Sequence, residues 1–394
     1  MKLAQSYSRL GTETAFEVLV RARALEAQGR KIVHLEIGEP DFDTPVNIRD
    51  AAKKALDEGW THYGPSAGLP QTRKAVAEYI NKTRGMNYAP EETVIVPGGK
   101  PIIFFTILAL LDAGDEVIYP NPGFPIYESM INYAGGKAVP LPIREENGFD
   151  FDPAEFERLL TPKTKLVILN SPANPTGGVM ADATMERVAA ALKKFPGAMV
   201  LTDEIYSRVL YGGAHRSIAS LPGMKERCII LDGFSKTWAM TGWRLGYGVG
   251  PKWLIDAIAK LATNDHSCVA SFAQIAAIEA LTGPQDAVVK MVAEFRRRRD
   301  VIVKGLNAIP GITCLTPMAS FYVFPNIKAT GLKSKVLADA LLAEAGVACL
   351  PGTSFGSFGE GYLRFSYANS VENIETALAS IRATLPKLAA PAVR

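Results

Sequence analysis

The chain reads as an α/β protein: a mostly parallel central sheet flanked by helices, with a smaller α+β domain attached. Three observations predict this. Short runs rich in Val, Ile and Leu alternate with helical patterns through the middle of the chain. Those runs are apolar almost throughout, as expected for strands covered on both faces. After a long amphipathic stretch that begins near Met291, strand and helix patterns mix instead of alternating.

The strands are expected at Thr93–Val96, Glu116–Tyr119, Leu166–Leu169, Met199–Thr202, Cys228–Leu231 and Leu245–Val249, each bounded by Gly, Pro or Asp. Helices are expected at Asp50–Asp57 and Gln71–Arg84. From Met291 to Ile309, the residues Val292, Phe295, Ile302, Leu306 and Ile309 fall on one helical face. That helix would lead out of the large domain. Beyond it, Phe321–Phe324 and Gly361–Ser366 read as strands. The expected division is a large domain of residues 45–285 and a small domain of residues 1–44 with 286–394. The Ala/Pro-rich tail, Leu388–Arg394, is expected to fray.

Composition narrows the function class. The chain has 394 residues, 48% hydrophobic and 21% charged, ordinary for a globular protein with room for two domains. Basic residues number 43 and acidic 40, a net charge of +3, which gives no reason to invoke nucleic acid or an anionic membrane. The run Arg296–Arg299 is flanked by Glu294 and Asp300 and reads as a solvated or ion-paired helix face. Cys228, Cys268, Cys314 and Cys349 form no CxxC pair, and His34, His62 and His215 show no metal-ligand spacing. No metal is expected. Met1 to Leu10 lacks the apolar core of a signal peptide, and the apolar run Pro101–Leu111 is too short to span a bilayer. The expectation is a cytoplasmic protein.

Polar residues gather just after the predicted strands, where open α/β sheets bind ligands. In Val96-Pro97-Gly98-Gly99-Lys100-Pro101, two glycines lead directly into a helix start. That pattern suits a phosphate cup and also an ordinary tight turn. Asn174 lies between Pro172 and Pro175 in a stiffened loop, which prolines and glycines form with or without a ligand. Asp203 ends a strand three residues before Tyr206; it suits an acceptor for a ligand cation or a helix cap. The densest motif is Gly233-Phe234-Ser235-Lys236-Thr237-Trp238, with Arg244 eight positions after the lysine. A lysine among small and aromatic residues tends to lose its proton and become nucleophilic, and can form a Schiff base. Arg244 can hold an anion through two parallel hydrogen bonds.

With these motifs in order, the sequence resembles the class I/II aminotransferases, fold-type-I enzymes that depend on pyridoxal 5'-phosphate. The resemblance rests on the lysine motif, Asn-Pro-Thr-Gly at 174–177, Asp-Glu-Ile-Tyr at 203–206, Gly-Glu-Pro-Asp-Phe at 38–42 and Leu-Arg-Phe-Ser at 363–366. These run across nearly the whole chain. The resemblance implies that Lys236 carries the cofactor and shuttles the proton, and that Asp203 pairs with the ring nitrogen. It implies that Tyr206 and Asn174 hold the ring's phenolic oxygen, and that Phe124 stacks on the ring. Gly99, Lys100, Ser235 and Arg244 would surround the phosphate, and Tyr63 would reach it from a neighbouring subunit. Arg364, with Gly38 and Asn174, would grip the substrate carboxylate. The implied protein is a homodimer with shared active sites. It would move an amino group from an amino acid to a 2-oxo acid, 2-oxoglutarate or pyruvate, by a ping-pong cycle.

Two departures stand out. Many members carry a serine where this chain has Gly233, which puts one phosphate contact in doubt. The stretch Leu261–Ala270 has no Arg or Lys where some aspartate-specific enzymes place a basic side chain, and His266 stands there instead. The motifs serve cofactor and carboxylate alike in a carbon–sulfur β-lyase, which remains an alternative. A non-catalytic effector sensor on the same scaffold is the more remote one.

Overall fold

A computed structural model describes residues 2–389. Its centre is a seven-stranded sheet: β1 (Thr93–Val96), β2 (Glu116–Asn121), β3 (Lys137–Pro142), β4 (Thr164–Asn170), β5 (Met199–Asp203), β6 (Cys228–Gly233) and β7 (Gly246–Val249). The spatial order is β1-β7-β6-β5-β4-β2-β3. All neighbours are parallel except at β7, which runs antiparallel to both β1 and β6. Each strand expected from the sequence is present. β3 was not expected, because Pro140 and Pro142 interrupt its apolar pattern. Its place at the sheet edge explains why prolines are tolerated there: the missing N–H groups cost no ladder on the open side.

Strand alternation feeds two separate cores. Ile95, Val167, Leu169, Val200 and Ile230 face one layer of helices, which includes Pro70–Arg84 and Ser271–Thr282. Val94, Val96, Leu166, Ile168, Leu201, Ile229 and Leu231 face the other, which includes Lys100–Leu110 and Lys252–Asp265. Burial on both faces explains why the strands read as continuous apolar runs.

The chain ends build the rest. Val33–His34 pairs in parallel with Val347–Ala348, joining the N-terminal arm to the C-terminal third. A second sheet sets Leu363–Ser366 between Leu350–Pro351 and Tyr322–Val323. The long helix spans Asp286–Asn307 and buries Met291, Phe295, Ile302 and Leu306. Its arginine run is ion-paired: Arg297 and Arg298 bond Glu294, Arg298 also bonds Asp41, and Arg299 bonds Asp300. Of the tail Leu388–Arg394, residues 390–394 lie outside the described residues. Among the described residues, no helix is long and apolar enough to cross a membrane.

One close approach joins the sheet to the site. Gly246 opens β7 beside the loop after β1, where an added Cβ would come within 2.6 Å of the Gly98 backbone. Gly246→Ala is therefore expected to push this loop away from the strand. It should destabilise the fold by about 1–3 kcal/mol, the range for forced overpacking. Denaturant unfolding checks this; a stability equal to that of the parent would mean the loop yields freely.

Candidate active site

The carboxyl ends of the parallel strands open into a cleft of about 490 Å³, roofed by residues from both chain ends. Every residue that the resemblance gives a cofactor or substrate role lines it except Tyr63. Tyr63 is 91% exposed and is not among the residues that line this cleft.

Lys236 follows β6, and its Nζ donates to the Gly38 carbonyl. Packed protein around it disfavours the ammonium. Burial is the main reason its pKa falls from 10.5 to about 8, with Arg364 and Arg244 adding to the shift and Glu39 and Glu13 opposing it. Asp203 ends β5 and is buried. Its Oδ2 accepts from the Tyr127 hydroxyl at 2.6 Å and its Oδ1 from the Ile205 amide at 3.2 Å. Burial pushes this carboxyl up to about 6, against those two hydrogen bonds. Tyr206 shares a 2.8 Å hydrogen bond with Tyr322, and burial holds its phenol well above the usual value.

Arg364 lies on the strand Leu363–Ser366 and is only 4% exposed. Its Nη1 donates to Asn174 Oδ1 at 3.2 Å and its Nη2 to the Glu36 carbonyl. The guanidinium lies 4.4 Å from the Tyr322 ring centroid and 4.9 Å from that of Phe355. Its buried Nε has no hydrogen-bond partner among the described residues. That edge of the fork is left for an anion.

At the other end, Gly98 adopts φ +86°, and a Cβ there would come within 2.3 Å of Arg244 Nη2. Glycine thus makes room for a guanidinium beside backbone amides at the start of the helix Lys100–Leu110. The Lys100 side chain reaches Glu13 and lies 5.6 Å over the Phe124 ring, and the residue opens the helix after the glycine turn. Gly233 has a local reason for lacking a side chain: it pairs with Gly246, and a Cβ would lie 3.1 Å from the Gly246 Cα.

Sequence reasoning missed Tyr127, Tyr322 and Glu13. Tyr127 follows Phe124 by three residues at the start of a helix, a spacing that could have flagged it. Tyr322 lay within the expected strand Phe321–Phe324 with no role assigned, and Glu13 gave no signal. His266 is bonded to Asp265 and stacked 6.1 Å from Phe105, outside the cleft lining.

A family model described as aminotransferase class I and II matches residues 30–381. The chain belongs to that family. Aminotransferases of these classes are pyridoxal-phosphate enzymes, and this chain is one: it transfers an amino group from an amino acid to a 2-oxo acid. The relatives favour amino transfer over the lyase alternative. An aspartate aminotransferase of Pyrococcus abyssi is 43% identical over 89% of this chain and 91% of its own length. An aromatic-amino-acid aminotransferase of Thermococcus litoralis is 42% identical over the same shares. The solved aspartate aminotransferase of Thermus thermophilus with maleate superposes with a TM-score of 0.92 at 38% identity, covering 98% of this chain and 100% of that one.

The lowered pKa of Lys236 favours its neutral, nucleophilic form in the apoenzyme. Its modification by an amine-directed reagent should rise with pH through a midpoint near 8. Peptide mapping of the labelled apoenzyme checks this; a midpoint near 10.5, like that of a surface lysine, would contradict it.

Proposed function

We propose that the cleft holds the cofactor between Lys236 and Asp203 and the substrate carboxylate at Arg364. One observation carries this reading. An amine of lowered pKa, a buried carboxylate and a guanidinium with a free buried edge converge on a single cavity. Pyridoxal phosphate brings an aldehyde, a basic ring nitrogen and a phosphate, and these residues fit it. When bound, it supplies a carbon that accepts the amino group and a ring that takes up electrons from the substrate Cα.

The chain's own groups do the rest. Gly99 and Lys100 offer backbone N–H groups to the phosphate, and Ser235 and Arg244 add side chains. Phe124 covers the ring. Tyr206 and Asn174 donate to its phenolic oxygen. Asp203, ionised, keeps the proton on the ring nitrogen. Lys236 would take up the proton released from the substrate Cα and hand it on in the transfer; a pKa of about 8 suits both directions. Arg364 orients the α-carboxylate with the Asn174 side chain and the Gly38 backbone.

The same reading extends to assembly. Tyr63 reaches a phosphate only if it comes from a partner subunit, and its near-complete exposure leaves it free for that. We read the protein as a homodimer with shared sites. The large domain is taken as residues 45–285, and the small domain as 1–44 with 286–394, supported by the strand pair Val33–His34 with Val347–Ala348. Four free cysteines suit the reducing cytoplasm. The substrates named for the relatives, aspartate and aromatic amino acids, are the first donors to test, with 2-oxoglutarate or pyruvate as acceptor.

Titration of the purified holoenzyme with single amino acids should bleach its visible band for the true donor, and a 2-oxo acid should restore it. Lys236→Ala should abolish that parental band and lower kcat by roughly 10²–10⁴-fold, the usual contribution of a proton-transfer group. Retention of the band would contradict the assignment. Arg364→Ala should raise the KM for the amino acid while cofactor stays bound.

The Asp203 carboxyl gives a pH prediction. It is protonated below about pH 6, and a neutral acid no longer pairs with a protonated ring nitrogen. Cofactor affinity of the apoenzyme should therefore fall as pH drops through about 6. Tyr127→Phe removes a hydrogen bond that favours the ionised form, so the midpoint should move up by about one pH unit, the size of a ~1.4 kcal/mol interaction. Comparing the two proteins by tryptophan quenching cancels the cofactor's own titration; coincident midpoints would show that Tyr127 does not tune Asp203.

A further inference from the structure

Behind the cleft, on the opposite face of the same strand ends, lies a buried ionic set that the reaction itself does not use. The ladder between β5 and β6 pairs Thr202 with Ile230 and Asp203 with Leu231. One step further, the Glu204 amide still bonds the Leu231 carbonyl at 2.8 Å. The register thus brings Glu204, the residue just after β5, beside Asp232 on β6. Both are buried, at 0% and 2% exposure. Two carboxylates at neighbouring positions of a ladder repel, and in a dry interior little solvent screens them.

Arg84 resolves this. It is the last residue of the helix Pro70–Arg84, and its Nε donates to Glu204 Oε2 at 3.2 Å while its Nη2 donates to Asp232 Oδ2 at 2.6 Å. The planar fork reaches both strands at once, which a single ammonium cannot do in the same way. Each carboxylate has further partners. Glu204 accepts from Ser217 at 2.5 Å and Thr202 at 3.1 Å, with His215 Nε2 only 2.8 Å away but poorly aligned for a directed bond. Asp232 accepts from Ser207 at 3.2 Å and from the Gly233 amide at 2.7 Å. His215, Arg84 and the Ser217 hydroxyl hold the Glu204 carboxyl down at about 2 despite its burial.

Stability alone is a poor reason for such a set, since apolar groups of equal volume commonly do as well or better. What it fixes is geometry. Glu204 follows Asp203 directly, and Asp232 precedes Lys236 by four residues. We infer that Arg84, through Glu204 and Asp232, is a positioning residue that sets the separation between the Asp203 carboxylate and the Lys236 amine. This rests on the roles given to Asp203 and Lys236 above. The Lys236→Ala spectrum and the pH dependence of cofactor binding test those roles separately, so the two readings can fail independently.

The test uses Arg84→Lys, which keeps the charge but loses the fork, and Glu204→Gln, which keeps the shape but loses one ion pair. Both are prepared as holoenzyme and as apoenzyme. For Arg84→Lys, kcat should fall about tenfold or more, because small misplacements of reacting groups are that costly. The KM for the amino acid should stay within about twofold, because Arg364 and Asn174 lie on other elements and set uniform binding. The apoenzyme's dissociation constant for pyridoxal phosphate, read by tryptophan quenching, should rise by a similar factor to the loss in kcat. Glu204→Gln should show the same split to a smaller degree. A lowered melting temperature with kcat and cofactor affinity both within twofold of the parent would overturn the proposal, leaving Arg84 as a structural ion pair only. A rise in KM that matches or exceeds the loss in kcat would overturn it as well.

Discussion

The structure depends on keeping two opposite charges in one cleft without letting them pair. Lys236 and Asp203 stand at the ends of neighbouring parallel strands and line the same cavity. If they met, the amine would be held protonated and the carboxylate would be lost to a ring nitrogen. Each has another partner: the Gly38 carbonyl for Lys236, the Tyr127 hydroxyl for Asp203. Neither partner carries a charge, so each group keeps most of the desolvation penalty that moves its pKa toward neutrality. A charged partner would have moved both back. The choice of a backbone carbonyl and a phenol is thus part of the chemistry.

The two anion sites show a different solution. Arg364 is buried against the Tyr322 and Phe355 rings and bonded to Asn174 and the Glu36 carbonyl, which restrict the orientation of its fork. Arg244 is exposed and fixed instead by its backbone, at φ +50°, and by a bond to the Thr241 carbonyl at 2.7 Å. On the proposed assignment, a carboxylate bound and released each turnover would meet a rigid guanidinium. A phosphate that stays would meet the turn that glycine leaves open at Gly98.

Much of this was legible in the sequence, for physical reasons. Buried parallel strands must be apolar on both faces, so their runs are conspicuous, and ligand residues cluster at their ends. The edge strand Lys137–Pro142 escaped because an edge tolerates the prolines that a central strand would not. Tyr127, Tyr322 and Glu13 escaped because their roles arise only from contacts across long stretches of chain, with no local pattern to announce them. Arg84 was the hardest case. At the end of an amphipathic helix with a glycine after it, an arginine reads as a solvated cap, and only the fold shows it facing inward.

The pair Asp203-Glu204 shows why a motif read as a string of letters understates its content. Side chains on a strand alternate between faces, so consecutive acids cannot share a task. Asp203 enters the cleft with Leu231, while Glu204 turns to the helix layer behind the sheet with Asp232. One face holds a carboxylate that must stay available. The other holds a carboxylate that must stay paired, and its pairing fixes the position of the first. Two adjacent residues of the same charge type thus end in opposite electrostatic states, Asp203 raised to about 6 and Glu204 lowered to about 2. Burial is common to both; the difference is that only Glu204 has Arg84 and His215 beside it.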